Sequence, residues 1–346
     1  MPAAVDGSTG MIELDGSAGG GQQVRTALGL SAATGEPFRM TGVRAARPNP
    51  GLAPQHLASV EAAARVCDAE VEGDELGADE VTFRPGEVRG GDVDVAIGTA
   101  GSVALLFDAL LPVAGELTAP LRVRATGGTD VKWSPPVEYV RRVKLPLLSR
   151  FGLDAGVDLD RVGFYPVGGG RATLRLEPST LGRVDLTERG DLSRVVIYSK
   201  SSKSLEGADV ATRQAERARE RLGERGVPVE IGETRYVETR SPGSSLLLVG
   251  VYGNSLAGFD ALGERGVPSE TVADRAVKRF LTFDAGPGAV DVHLADQLLA
   301  FLALGGGAVR IPEVTDHVRT NREVVEAFGY DLDLDRRDDG SVLLVA

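Results

Sequence analysis

Apolar positions along the chain recur in one arrangement: a short alternating stretch, an irregular turn, then an amphipathic helix. FRMTGVRAARPNPGLAPQHLASVEAAARV (38–66), LRVRATGGTDVKWSPPVEYVRRVKLPLLSRFG (121–152) and AVRIPEVTDHVRTNREVVEAFG (308–329) follow it, and LAGFDALGERGVPSETVADRAVKRFL (256–281) reads as a fourth copy. In the first helix Leu57, Val60, Ala64 and Cys67 form the stripe of a helix packed on a sheet, while Glu61 leaves one flank wet. Pro54, Pro136 and Pro268 fall at or near helix starts, where a missing N–H does little harm.

A second kind of helix alternates with these units: GGGQQVRTALGLSAATG (19–35), GTAGSVALLFDALLPVA (98–114) and HLADQLLAFLALGGG (293–307). These are apolar around most of their circumference, which predicts interior positions in an α/β layer. Two helices and a small sheet per unit, several times over, predict an α/β sandwich arrayed with pseudo-symmetry. Residues 184–262 break the rhythm, with a charged helix over 208–226 and strands over 227–232 and 244–252. They predict a small inserted α/β domain, so that 11–183 and 263–346 form a discontinuous main body.

The 346 residues suffice for a sizeable core, and 42% hydrophobic with 25% charged residues is the balance of a soluble globular protein. No stretch has the apolar length of a membrane span, and MPAAVDGSTG lacks the basic and apolar regions of a signal peptide, which together predict a cytoplasmic protein. The single cysteine, Cys67, excludes an internal disulfide and any cysteine-based zinc site. Net charge is −12, and only five basic residues are lysines (132, 144, 200, 203 and 278), a surface suited to a salt-rich cytoplasm. That acidity argues against generic coating of nucleic acid and for a local arginine-lined pocket.

Three histidines narrow the search for chemistry, because His56, His293 and His317 each lie near a helix start. Gln22, Arg25 and Thr26 share one helix face, as do His293, Asp296 and Gln297. Asp108 stands alone in VALLFDALLPVA, where an unpaired carboxylate would cost several kcal/mol. Each such group could be satisfied by a neighbour, but several on different interior helices are more simply explained by one polar cleft. Gly19, Gly20 and Gly21 precede a helix that can hold an anion on free N–H groups, although a glycine run alone is more often a turn. Arg44 and Arg47 flank a turn and their planar forks suit phosphates. His317 is the best nucleophile: a neutral imidazole can attack phosphorus to give a phosphoramidate, whereas serine would first need a base.

Taken together, GGGQQVRTALGLSAATG, RPNPGLAPQHL, AIGTAGSVALLFDALLP, GGTDVKWSPPVEYV, GFYPVGGG, HLADQLLAFLALGG and TDHVRTNREVVEAF resemble, in order, the RNA 3'-terminal phosphate cyclases over about residues 11–330. The resemblance implies pseudo-symmetric βαβαββ repeats, shared with enolpyruvyl transferases, and an inserted thioredoxin-like module. It implies three steps: His317 takes AMP from ATP, AMP passes to an RNA 3'-phosphate, and the vicinal 2'-hydroxyl closes a 2',3'-cyclic phosphate as AMP leaves. ATP and a divalent metal, Mg²⁺ or Mn²⁺, would be the cofactors and RNA 3'-phosphate ends the partner; a homo-oligomer is compatible with the sequence. The resemblance places ATP against His293, Leu294, Ala295, Asp296, Gln297 and Asp108, with Arg25, Arg44, Arg47 and Gln55 on phosphates or the RNA end. Three positions depart from the family pattern. Ala18 stands where members commonly carry a metal-serving glutamate, Asp108 where glutamine is usual, and His293 where tyrosine is frequent, which suggests that Asp108 takes over the missing carboxylate as metal ligand. The alternatives are a cyclase-like ribosome-biogenesis factor without catalysis, against which the retained His317 argues, and an enolpyruvyl transferase, whose substrate signatures are missing.

Overall fold

The structure, a computed structural model, describes residues 10–346, and the first nine residues of the stretch tested for a signal peptide lie outside them. It is a mixed α/β protein with four four-stranded sheets. The first takes β1 (Ile12–Asp15), α1 (Gly21–Thr34), β2 (Phe38–Thr41), α2 (Pro54–Cys67), β3 (Glu70–Glu72) and β4 (Val81–Arg84), with strands in the order β1-β2-β4-β3. α1 carries the chain back across the sheet, so β1 and β2 are parallel, and β4 runs antiparallel to both its neighbours. The second sheet follows the same plan with β5 (Gly91–Ala96), α3 (Val103–Leu110) and β6 (Leu121–Gly127). It continues through α4 (Val137–Tyr139), a π-helical turn Val140–Lys144 and α5 (Leu145–Leu148) to β7 (Ala155–Arg161) and β8 (Gly170–Leu176). Its order is β5-β6-β8-β7.

The third sheet opens with β9 (Val184–Leu186), and the chain then leaves it. β10 (Leu192–Ser202), α6 (Val210–Gly223), β11 (Val229–Val237), β12 (Ser244–Tyr252), β13 (Leu256–Leu262) and α7 (Ser269–Asp284) form a separate layer, with strand order β11-β10-β12-β13. The chain returns through α8 (Val292–Gln297), α9 (Leu299–Gly305), β14 (Gly307–Ile311), α10 (Asp316–Ala327), β15 (Asp333–Arg336) and β16 (Val342–Val345) to complete the order β15-β16-β14-β9.

Burial explains the placement of the helices. α1 is buried around most of its girth, with Val24, Ala27, Leu28 and Leu30 inside, and it packs against α2, α3 and α10. Phe38 stacks on Phe83 at 5.8 Å between centroids beneath it. The layer carrying β10 to β13 has a core of its own, in which Val272, Ala276 and Phe280 of α7 meet Leu222, Leu246 and Phe259.

Three details differ from the sequence reading. β9, placed there at the start of the insertion, pairs in parallel with β14. The segment 256–281 does not copy the other units: β13 pairs only antiparallel with β12, and α7 packs on α6. An amphipathic stripe shows that a helix covers a sheet without showing which one. HLADQLLAFLALGGG is two helices that meet at Leu298, not one. Among the described residues no helix is long and apolar enough to cross a membrane.

Candidate active site

Four helix starts converge on one cavity of about 780 Å³. α1 supplies Gly21, Gln22 and Arg25, α2 Gln55 and His56, α8 His293, Asp296 and Gln297, and α10 His317. The turn after β2 adds Arg44 and Arg47, the loop after β6 adds Lys132 and Trp133, and the layer of β13 and α7 adds Asp260, Glu264, Arg275 and Arg279. Arg25, Arg44, Arg47, Lys132, Arg275 and Arg279 thus oppose only Asp260, Glu264 and Asp296, in a chain of net charge −12. Basic groups gathered in a concave wall, with helix N-termini aimed into it, suit a polyanion.

His317 is set by its helix cap. Thr315 Oγ1 accepts the Val318 N–H at 3.2 Å and starts α10 so that His317 falls in its first turn. Its Nδ1 lies 3.6 Å from Oδ2 of the buried Asp296, which also accepts from Asn321 Nδ2 at 3.3 Å. That separation exceeds a hydrogen bond but orients the ring, leaving Nε2 for the cavity, and the side chain is half exposed. Gln22 ties α1 to α10 by donating to Thr320 Oγ1 at 3.1 Å.

Asp291 holds α8 in place. Its carboxylate caps the His293 and Leu294 N–H groups at 2.9 and 3.1 Å, and accepts from the Gly258 N–H at 2.8 Å and from the Tyr139 hydroxyl. Burial pushes its pKa up, while His293 and these donors oppose the rise. His293 stands edge-on to Tyr139 at 5.6 Å, with Nε2 3.6 Å from Asp260. Burial would lower the His293 pKa, but Asp260, Asp291 and Asp296 outweigh it and the net shift is upward.

Arg25 is buried, its pKa drawn down to about 10 by burial against the pull of Asp296, and its Nε has no hydrogen-bond partner. Arg44 adopts φ 56° and donates to the Gly51 carbonyl at 2.6 Å. Burial and Arg47 both lower its pKa, so these cations repel until an anion arrives. Gln55 accepts the Ser102 N–H at 3.1 Å, which sets its amide at the cavity wall.

His56 is held neutral. Nδ1 accepts the Ala53 N–H at 3.2 Å, so the proton resides on Nε2. Burial, then Arg25 and Arg44, lower its pKa from 6.5 to about 3. A Cβ on Gly21 would lie 1.9 Å from His56 Nε2, so the last glycine of the triplet is required by this close approach. The unfolded chain takes up a proton below pH 6.5 that the fold refuses. Unfolding free energy should therefore fall with decreasing pH by up to about 1.4 kcal/mol per unit from 6.5 toward 3 on this account. Urea denaturation of wild type and His56→Gln at several pH values checks this: the gap between them should change with that slope, and parallel profiles would refute it.

Some expected site residues lie elsewhere. Leu294 and Ala295 point into the core. Asp108 does not line the cavity, and its carboxylate is committed to the fully buried Lys144 ammonium, with Arg25 Nε 3.9 Å away. A carboxylate already paired with a buried ammonium is a poor fit to the metal role suggested by the Ala18 departure. Among the described residues no group of three His, Cys, Asp or Glu side chains forms a metal cluster. In the other direction, Asp291, Asp260, Arg275, Arg279 and Lys132 were not singled out from the sequence. Asp291 directly before VHLADQ is a capping signal, and Arg275 and Arg279 share a helix face; only the fold brings Asp260 to them.

The fold and site together define an α/β enzyme built around a cation-lined cavity that presents a histidine. The family model described as RNA 3'-terminal phosphate cyclase matches residues 17–331. RNA 3'-terminal phosphate cyclase of Halobacterium salinarum is 48% identical, over 97% of this chain and 100% of its own. The proteins of that name from Pyrococcus furiosus and Pyrobaculum aerophilum are 41% and 40% identical, each over 92% of this chain and over 93% and 92% of their own lengths. The chain belongs to the RNA 3'-terminal phosphate cyclase family. Among solved structures, the EPSP synthase of Acinetobacter baumannii aligns over 51% of this chain and 50% of its own at 14% identity, with a TM-score of 0.25, too slight to bear on the fold.

Proposed function

We propose that the chain uses ATP to convert an RNA 3'-terminal phosphate into a 2',3'-cyclic phosphate through AMP carried on His317. The observation that carries this is His317 itself, at a helix start on the wall of a cation-rich cavity with Nδ1 turned toward Asp296. In the first step the Nε2 lone pair forms a bond to the α-phosphorus and the bond to pyrophosphate breaks. Asp296 steadies the positive charge that develops on the ring, and the arginines offset charge on the leaving group. An oxygen of the RNA 3'-phosphate then attacks the same phosphorus, the P–N bond breaks, and His317 is free again. Finally the 2'-oxygen attacks the 3'-phosphorus and AMP departs. The hydroxyl proton needs an acceptor, and the released imidazole is at hand. Because the last attack is intramolecular, holding the ribose in place supplies much of its rate. Asp108 is engaged by Lys144, so none of these steps is routed through it.

The repeated strand order supports reading the body as three copies of a βαβαββ unit, with a thioredoxin-like module set between β9 and α8. The test of function is incubation with ATP and an oligoribonucleotide 3'-phosphate. The expected product has a phosphatase-resistant end, with one AMP and one pyrophosphate released per end. An unchanged RNA end despite intact ATP binding would favour a non-catalytic factor.

A further inference from the structure

The one tryptophan of this chain is also its most solvent-exposed large apolar side chain among the described residues. Trp133 is 95% exposed, yet it belongs to the wall of the cavity, in the loop after β6. An indole left in water forgoes a large burial gain, and an exposed aromatic with a π-face at the rim of a polyanion site is suited to a nucleobase. We propose that Trp133 is the stacking platform for the RNA base on the 5' side of the reacting nucleotide, a reading that rests on the proposed function. The reacting nucleotide must put its phosphate inside, near His317, so the base that meets an indole on the solvent-exposed part of the wall belongs to the nucleotide before it.

The loop fixes the backbone that carries that indole. Trp133 has φ 63°, a conformation that bulky side chains rarely adopt and that persists only where the surroundings impose it. The surroundings do. The buried Asp130 pairs with Lys200 of β10 at 3.0 Å and accepts from Thr129 Oγ1 at 2.8 Å. The Thr129 and Asp130 N–H groups donate to the Gly163 carbonyl at 3.0 and 3.3 Å, and the Val137 N–H to the Thr129 carbonyl at 2.8 Å. A platform whose backbone is already fixed loses less freedom when a base lands on it. Lys132 and Arg275 share the one carboxylate of Glu264 at 3.4 Å, which leaves net positive charge on the cavity wall that carries Trp133, for the backbone phosphate that joins the two nucleotides.

Because Trp133 is the sole tryptophan, its emission reports this contact directly. A trinucleotide 3'-phosphate should quench it saturably, whereas a single nucleoside 3'-phosphate, lacking the preceding base, should not. In the cyclisation assay Trp133→Ala should raise KM for RNA by roughly 5- to 150-fold with kcat little changed, and Trp133→Phe should recover most of the loss. Unchanged emission at trinucleotide concentrations that saturate the wild-type reaction, or an unchanged KM in Trp133→Ala, would overturn the platform while leaving the cyclase reading intact. Equal quenching by the mononucleotide would overturn the assignment to the preceding base. Quenching without any cyclisation by wild type would instead sink the proposed function and leave the platform standing.

Discussion

Replacing His317 with alanine should abolish covalent labelling by ATP carrying a label on its α-phosphate, and lower cyclisation by about 10⁴- to 10⁶-fold, the scale on which deleting a covalent nucleophile acts. Wild type should carry about one acid-labile, alkali-stable label per chain, the stability pattern of a P–N bond. The exposure of His317 makes the experiment clean: the side chain is half exposed and supplies no core packing, so the variant should fold and still bind ATP. His56 and His293 are the only other imidazoles, and neither is a comparable nucleophile. His56 is buried, with Nδ1 occupied by the Ala53 N–H, and His293 leans on Asp260, which draws it toward the protonated form that has no free lone pair. Label retained in His317→Ala would refute the scheme and direct attention to those two rings.

The second large effect concerns stability. Lys144 is fully buried, and its ammonium meets Asp108 across the interface of α3 and the π-helical turn. Asp108→Ala should destabilise the fold by roughly 3–5 kcal/mol, because a buried charge loses its partner. Burial pushes the Lys144 pKa down from 10.5 to about 7, Arg25 adding to the fall and Asp296 opposing it. That value holds with Asp108 in place, so removing the carboxylate drives the folded pKa lower still, while the unfolded chain keeps the proton up to about pH 10. Both folded proteins are then deprotonated above about pH 7, so the variant's deficit should narrow as pH rises toward 7 and stay level above it. Asp108→Leu combined with Lys144→Met should recover most of the stability, since apolar replacement of a buried pair is often neutral. Denaturant titration below pH 7, at pH 7 and at pH 9.5 measures all three. A deficit under about 1 kcal/mol in Asp108→Ala, together with loss of metal-dependent activity, would return Asp108 to the role of metal ligand.

That pair also marks where sequence reasoning stopped. A carboxylate alone in VALLFDALLPVA announces that it needs a partner, but a cation, a metal and a hydrogen-bond donor are equal candidates until the fold brings Lys144 across from 36 residues away. The helices of the first unit are legible because their periodicity is local: 54–67 is a helix in which Val60 and Cys67 of the expected stripe are buried, while Leu57 and Ala64 are partly buried and Ala62, Ala63 and Val66 complete the buried face. The break at Leu298 is not, since VHLADQLLAFLALG is helix-forming throughout and carries no local signal of the interruption. The arginines at 25, 44 and 47 could be found because they flank glycine turns and helix starts. Arg275 and Arg279 could not, because they look like the solvent face of an amphipathic helix until β13 and α7 are seen to wall the cavity. His56 was noticed for its rarity, but its enforced neutrality depends on two arginines from other segments.

The pairing of β9 with β14 has a consequence for biosynthesis. About 120 residues separate the two strands, so at ordinary ribosomal speeds β9 waits some 6–25 s for its neighbour, and the layer of β10 to α7 can fold in that interval. Only afterwards do α8 and α10 emerge with His293, Asp296 and His317. The nascent chain thus gathers most of its anion-holding wall before its reactive imidazole exists, and a truncated product that ends in α7 lacks that imidazole altogether.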